Sequence, residues 1–111
     1  MMKSTVPVGT GRSIQRRREG IGYVSNPEFL KEGSAVADFM DPDRVVVGAN
    51  KGSEQYADRV EALYAPLEAE VVRTDVASAE MIKLASNAFL ATKISFINAM
   101  SEIAEIGRAH V

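Results

Sequence analysis

The period of apolar and polar positions changes several times along the chain, and each change marks an element. Ile21-Gly22-Tyr23-Val24-Ser25 is a short strand candidate that leads into Asn26-Pro27. Arg44-Val45-Val46-Val47-Gly48-Ala49 is a continuous β-branched run, suited to a strand buried on both faces of a parallel sheet. Glu70-Val71-Val72-Arg73-Thr74 is a third short strand. Between the last two, Tyr56, Val60, Leu63, Tyr64 and Leu67 recur at i, i+4, i+7, i+8 and i+11, a helical stripe. Ser53 is placed to N-cap that helix, and Pro66 disfavours helical geometry at Ala65. Upstream, Ser4 to Gly11 starts polar, turns through Pro7 and carries two glycines, reading as a strand end passing into a loop. Thr10 or Ser13 can cap a short helix through the Ile14 to Glu19 region, with Gly20 as its C′ residue. Ser34 to Met40 is helical or irregular, and Asp41-Pro42-Asp43 is turn chemistry. Strands alternating with helices predict an α/β fold with a parallel sheet built of βαβ units.

The last segment differs in scale. From about Ser78 to Ile106 neither proline nor glycine interrupts a helical pattern. Such a helix is roughly 40 Å long at 1.5 Å per residue. Its apolar residues, among them Met81, Ile82, Leu84, Phe89, Leu90, Ile94, Phe96, Ile97, Met100 and Ile103, go most of the way round. A helix apolar on all sides is buried on all sides, and the rest of a 111-residue chain is too small to cover it. A second subunit, or further chain, is expected against it.

Composition narrows the function classes. The chain is 46% hydrophobic and 25% charged, as an ordinary globular domain is. A net charge of −2 argues against nucleic acid as the main partner, because phosphate binding needs a clustered excess of Lys and Arg. No run of about 18 uncharged apolar residues is present, so no membrane span is expected, and Met1-Met2-Lys3-Ser4 is not a secretory leader. Zero cysteines exclude disulfides, thiolate metal sites and a cysteine nucleophile within this chain, and they fit a cytoplasmic location. With one histidine, no histidine metal cluster is expected either. Arg16-Arg17-Arg18 reads as a solvated face before it reads as a phosphate site.

Two places carry candidate chemistry. Asn26-Pro27-Glu28-Phe29-Leu30-Lys31-Glu32-Gly33 puts two carboxylates and an ammonium within five residues, bounded by a proline and a glycine. It is equally the pattern of an exposed first helical turn, with acids near the dipole's positive end. On the long helix Lys83 and Asn87 are four apart and share a face, with Asn98 on a similar bearing. A lysine there either reaches for water along its aliphatic stem or serves a site that satisfies its charge.

Taken together, four segments in order resemble the nucleotide-sugar dehydrogenases of the UDP-glucose/GDP-mannose dehydrogenase family. They are Ser-Thr-Val-Pro-Val-Gly-Thr at 4–10, Asn-Pro-Glu-Phe-Leu-Lys-Glu-Gly at 26–33, Asp-Pro-Asp-Arg-Val-Val-Val-Gly at 41–48, and the run from Ser78 to Asn98. The wording Pro42-Asp43-Arg44 is nearer the UDP-glucose branch than the GDP-mannose branch, and the connector from Gly11 to Tyr23 is shorter than is usual. The resemblance implies the C-terminal part of a Rossmann-like NAD-binding domain over residues 1–76. Residues 77–106 then form a long central helix that opens a dimerisation domain, so a homodimer is expected. It implies oxidation of the primary alcohol of UDP-glucose to the carboxylate of UDP-glucuronate by two hydride transfers to NAD⁺, through a cysteine thioester.

In that scheme Lys83 and Asn87 match the residues that hold the substrate oxygen and its developing charge. A preorganised donor of that kind is typically worth about 3 kcal/mol. Glu28 matches the general base, acting through a water near Thr5. Phe29, Leu30 and Lys31 match the lining of the sugar site, while Glu32 touches both substrate and cofactor, and Thr5 lies on the cofactor side. The family's Gly-x-Gly-x-x-Gly turn and its cysteine are not in this sequence, so the chain is expected to be an internal portion, inactive alone. Ile106-Gly107-Arg108-Ala109-His110-Val111 does not resemble the family's continuation and reads like a translated sequencing adapter; 107–111 are expected to be a non-native tail. The alternative is a natural helix end capped by Gly107. The alternatives in function are a GDP-mannose or other nucleotide-sugar enzyme, or a non-catalytic remnant that dimerises or binds a nucleotide sugar.

Overall fold

The computed structural model describes residues 1–30 and 33–109, the side chains at 108 and 109 excepted. Helix α1 (Thr10–Arg17) is followed by strand β1 (Val24–Ser25), helix α2 (Ala35–Met40) and strand β2 (Arg44–Ala49). Helix α3 (Glu54–Tyr64) then runs through a 3-10 turn (Ala65–Leu67) into strand β3 (Glu70–Thr74), and helix α4 (Val76–Ala109) completes the order. The sheet order is β1-β2-β3. β2 and β3 are parallel, with Val45 opposite Val71 and Val47 opposite Arg73. This is the βαβ unit expected around α3.

The β1–β2 pair departs from an all-parallel sheet. It is antiparallel, with Val24 opposite Ala49 and Ser25 opposite Gly48. A parallel pair needs a crossover long enough to carry the chain back along the sheet, usually a full helix. Between β1 and β2 the only helix described is α2, six residues long, and the chain reverses instead. On the far side of β1, Met2 makes a parallel bridge to Ser25.

β2 is the centre of the molecule because its two faces meet different helices. Val45 and Val47 pack with Val24, Ala57 and Val60 beneath α3, ringed by Tyr64, Ala69 and Val71. Successive residues of a strand face opposite ways, so Val46 and Gly48 turn towards α4. A Cβ on Gly48 would lie 2.6 Å from Ala79 Cβ and 2.7 Å from the Asp75 carbonyl. The missing side chain lets the first turn of α4 sit directly on the strand.

Helix ends and faces differ in detail from the sequence reading. The N-terminal helix starts at Thr10, after a left-handed Gly9 (φ 98°), and ends at Arg17 rather than extending to Glu19. Ser53 precedes α3 but does not cap it; its hydroxyl accepts the Tyr23 amide at 3.2 Å and ties β1 to the helix. The buried face of α3 runs through Ala57 and Val60, while Leu63 is 70% exposed. α4 begins at Val76, two residues before the expected start. Asp75 accepts the Ser78 amide at 2.7 Å and the Ser78 hydroxyl at 2.8 Å. Those two bonds, the amide's first, hold the Asp75 carboxyl below its ordinary range. The helix does not end before Gly107 but passes through it to Ala109, so Gly107 is not a capping residue. At 34 residues it is about 51 Å long. Only its first turns touch the sheet: residues 85–107 are exposed, including Phe89, Phe96 and Ile103. Among the described residues no helix is long and apolar enough to cross a membrane.

Candidate functional site

Asn26 closes β1 and is 1% exposed. Its amide donates to the Met2 carbonyl at 2.8 Å, and its Nδ2 donates to the Val46 carbonyl at 2.8 Å. Its Oδ1 accepts from Lys3 Nζ at 2.8 Å and from the Tyr64 hydroxyl at 2.7 Å. Pro27, also buried, fixes the next backbone angle. Glu28 emerges there as a half-buried side chain, and its Oε2 accepts the Leu30 amide at 2.7 Å.

Lys83 comes to the same place from α4, one turn after Ala79, which packs closely on Gly48. It is 7% exposed, and its Nζ lies 3.9 Å from Glu28 Oε1 and 5.0 Å from the centre of the Phe29 ring. At 3.9 Å the pair attracts but is not hydrogen-bonded, which needs roughly 2.7–3.2 Å. The ammonium's protons are therefore not consumed by Glu28. A buried cation beside a carboxylate and an aromatic face provides a fixed positive charge and a proton acceptor side by side.

The structure thus brings together Glu28, Phe29 and Lys83 from distant segments. Leu30 follows on the same loop and is 39% exposed. Asn87 stands exposed one helical turn beyond Lys83, its side chain without a hydrogen bond among the described residues. Thr5 is likewise exposed and without one. Lys31 and Glu32 lie outside the described residues, as do His110 and Val111.

A buried carboxylate near the pair was not legible in the sequence. Glu80 is 2% exposed, three residues before Lys83 on α4. It accepts the Gly9 amide at 3.0 Å and the Gly11 amide at 2.9 Å, fastening the start of α1 to α4. Gly11 has no room for a side chain, since a Cβ would run into Val76 and lie 2.6 Å from the Tyr23 ring. The Tyr23 hydroxyl is buried without a hydrogen-bond partner among the described residues. Burial, then the charge of Glu80, raises its pKa. The pattern that could have flagged Glu80 is an acid one helical turn from a lysine on a face that otherwise packs. A cavity of about 150 Å³ lies nearby, lined by Gly9, Arg12, Asn50, Asp75 and Glu80. An apolar cleft of about 260 Å³ lies between Met1, Phe39 and Tyr64. Glu28 and Lys83 line neither.

Residues 1–68 match the model of the UDP-glucose/GDP-mannose dehydrogenase family, NAD binding domain, and residues 77–111 match that family's central domain. The chain belongs to the UDP-glucose/GDP-mannose dehydrogenase family. UDP-glucose 6-dehydrogenase TuaD of Bacillus subtilis is 51% identical over 110 residues, which are 93% of this chain and 23% of that protein. A UDP-glucose dehydrogenase structure from Pyrobaculum islandicum matches with a TM-score of 0.73 and 44% identity, covering 85% of this chain and 23% of the other. A ternary complex of GDP-mannose dehydrogenase from Pseudomonas aeruginosa matches with a TM-score of 0.76 and 34% identity, covering 86% and 24%. The chain spans about a quarter of the length of the relatives it matches. The α/β fold with its long last helix is accordingly that of the family.

Proposed function

We propose that this chain carries the sugar-oxidising side of a UDP-glucose 6-dehydrogenase site, and that its 111 residues are inactive alone. The observation that carries this reading is the approach of Lys83 Nζ to Glu28 Oε1 at 3.9 Å, with Phe29 over the ammonium. Glu28, through a water near Thr5, takes the proton of the sugar's primary hydroxyl as a hydride leaves the carbon bearing it, and Lys83 faces the negative charge that develops on that oxygen. Asn87, on the same helical face, adds a neutral donor. Phe29 and Leu30 form the sugar's apolar wall, and Lys31 and Glu32 are assigned to substrate binding with them. The substrate assignment leans on sequence rather than shape. The UDP-glucose and GDP-mannose relatives have near-equal TM-scores, but identity is higher to the UDP-glucose enzyme.

In this reading NAD is the hydride acceptor, with Thr5 and Glu32 on its side of the site. The described residues do not fit its pyrophosphate. α1 is the first helix after Thr5 in the chain, and the amides of Gly9 and Gly11 at its start are already taken by Glu80. The start of α1 therefore does not offer those two amides to a pyrophosphate. We assign the proposed activity to the cytoplasm, whose reducing conditions suit a chain without cysteine. Residues 1–76 serve as part of the NAD-binding domain and 77–106 as the start of the dimer core. The exposed Phe89, Ile94, Phe96, Ile97 and Ile103 support a homodimer along α4. Light scattering on the purified chain should give twice the mass of 12.0 kDa, and Phe96→Glu should return it to a monomer. A wild-type mass of one chain at micromolar concentration counts against the dimer.

The activity is tested by grafting residues 1–106 in place of the matching quarter of the Bacillus subtilis relative. The chimera should reduce NAD⁺ with UDP-glucose, and Glu28→Gln should cost about 10²–10⁴-fold in kcat. A folded chimera indifferent to Glu28→Gln would remove the proton acceptor from this scheme.

A further inference from the structure

We propose that Asn26 is a positioning residue that sets Glu28 against Lys83, with Lys3 and Tyr64 holding its side chain; this rests on the reading of Glu28 and Lys83 given above. Every polar group of Asn26 is engaged. Beyond its bonds to Met2, Val46, Lys3 and Tyr64, its carbonyl accepts from Lys3 Nζ at 3.3 Å. Lys3 also donates to the Tyr64 hydroxyl at 3.0 Å, closing a triangle of three side chains from the N-terminal segment, β1 and α3. The ammonium lies 5.7 Å from the centre of the Tyr64 ring. An asparagine is required because one side chain must both donate, to the Val46 carbonyl, and accept, from Lys3 and Tyr64. An aspartate would turn a second oxygen on that carbonyl.

The consequence for Glu28 follows from chain geometry. One residue separates it from Asn26, and that residue is a buried proline with a fixed φ. The direction in which the backbone leaves Asn26 therefore fixes where Glu28 emerges. Both members of the pair are referenced to one strand: Glu28 through the bond from Asn26 to Val46, Lys83 through the seating of α4 on Gly48. β2 thus acts as a common ruler for the two groups.

The test is nuclear magnetic resonance on the 111-residue chain. In the wild type the Lys83 ε-methylene protons should be displaced upfield by the Phe29 ring and show cross-peaks to it. Asn26→Ala should abolish both, while the amide pattern of β2 and β3 persists. Persistence of the Lys83–Phe29 signature in the folded Asn26→Ala chain overturns the proposal. Where Asn26→Ala unfolds the sheet, Tyr64→Phe decides, since it keeps the ring and deletes the hydroxyl: a reduced displacement supports the role and an unchanged one overturns it. In the active chimera, Asn26→Ala should lower kcat on the order of 10- to 100-fold with KM little changed, as for a misplaced reacting group. Loss of the signature with full turnover would sink the Glu28–Lys83 reading while leaving the positioning role intact.

Discussion

Replacing Glu80 with glutamine removes one charge and changes almost no volume, so its cost reads the clamp between α1 and α4 directly. The carboxylate accepts the Gly9 and Gly11 amides at 3.0 and 2.9 Å while 2% exposed. A glutamine keeps one acceptor oxygen and turns its own N–H₂ towards the second amide. One hydrogen bond to a charged group is lost, worth about 1.5–3 kcal/mol, and a buried donor is left unmet at about 1–3 kcal/mol. The neutral side chain recovers part of this because it costs less to bury. The net expectation is a loss of about 2–4 kcal/mol, or roughly 10–20 °C in Tm for a domain of this size. Urea unfolding followed by tyrosine fluorescence is the suitable assay, because Tyr23, Tyr56 and Tyr64 all lie in the sheet-bearing part and ignore the projecting end of α4. Hydrogen exchange at Gly9 and Gly11 should accelerate selectively. A variant within about 0.5 kcal/mol of wild type, the range of an ordinary surface change, would refute the clamp.

Two further changes test the packing around it. Tyr23→Phe deletes a buried hydroxyl without a partner among the described residues and should leave stability unchanged or raise it by about 1 kcal/mol. Because the folded-state pKa of Tyr23 is raised above 10.0, its contribution is present below that pH and lost as pH rises. The phenylalanine variant should therefore show a flatter alkaline decline, and destabilisation by more than about 1 kcal/mol at neutral pH would mean the hydroxyl has a partner. Gly48→Ala drives a Cβ to 2.6 Å from Ala79 and 2.7 Å from the Asp75 carbonyl and should cost about 2–3 kcal/mol in urea unfolding. Ala79→Gly should rescue it only in part, since the carbonyl remains, and full tolerance of the alanine would contradict the seating of α4.

The elements legible in the sequence were those whose signal is local. The Val45–Val47 run and the strand Glu70–Thr74 depend on their own residues and neighbours, and both are in the structure. Pro66 coincides with the end of the α-helix at Tyr64, but Ala65 keeps helical geometry (φ −52°, ψ −42°) and the chain runs on as a 3-10 turn, whose hydrogen bonds do not need the proline's missing N–H. The antiparallel turn of β1 was not legible, because it depends on the absence of a crossover helix rather than on any residue in the strand. Ser53 misled for a related reason: a serine before a helix favours a cap, but here the Tyr23 amide needs its oxygen more. At the site, Glu28 and Lys83 stood out individually, yet whether they met was a matter of tertiary packing. Glu80 and Lys3 were invisible because each looks like a surface charge until the amides or acceptors around it are known.

The central claim is that Glu28 and Lys83 form one chemical unit, and the most direct measurement is a double-mutant cycle on kcat in the chimera. Glu28→Gln should cost about 10²–10⁴-fold and Lys83→Met about 10²–10³-fold, and the double variant should fall little below the worse single one, as groups acting on one oxygen do. Full multiplication of the two losses, as for independent sites, would contradict the account.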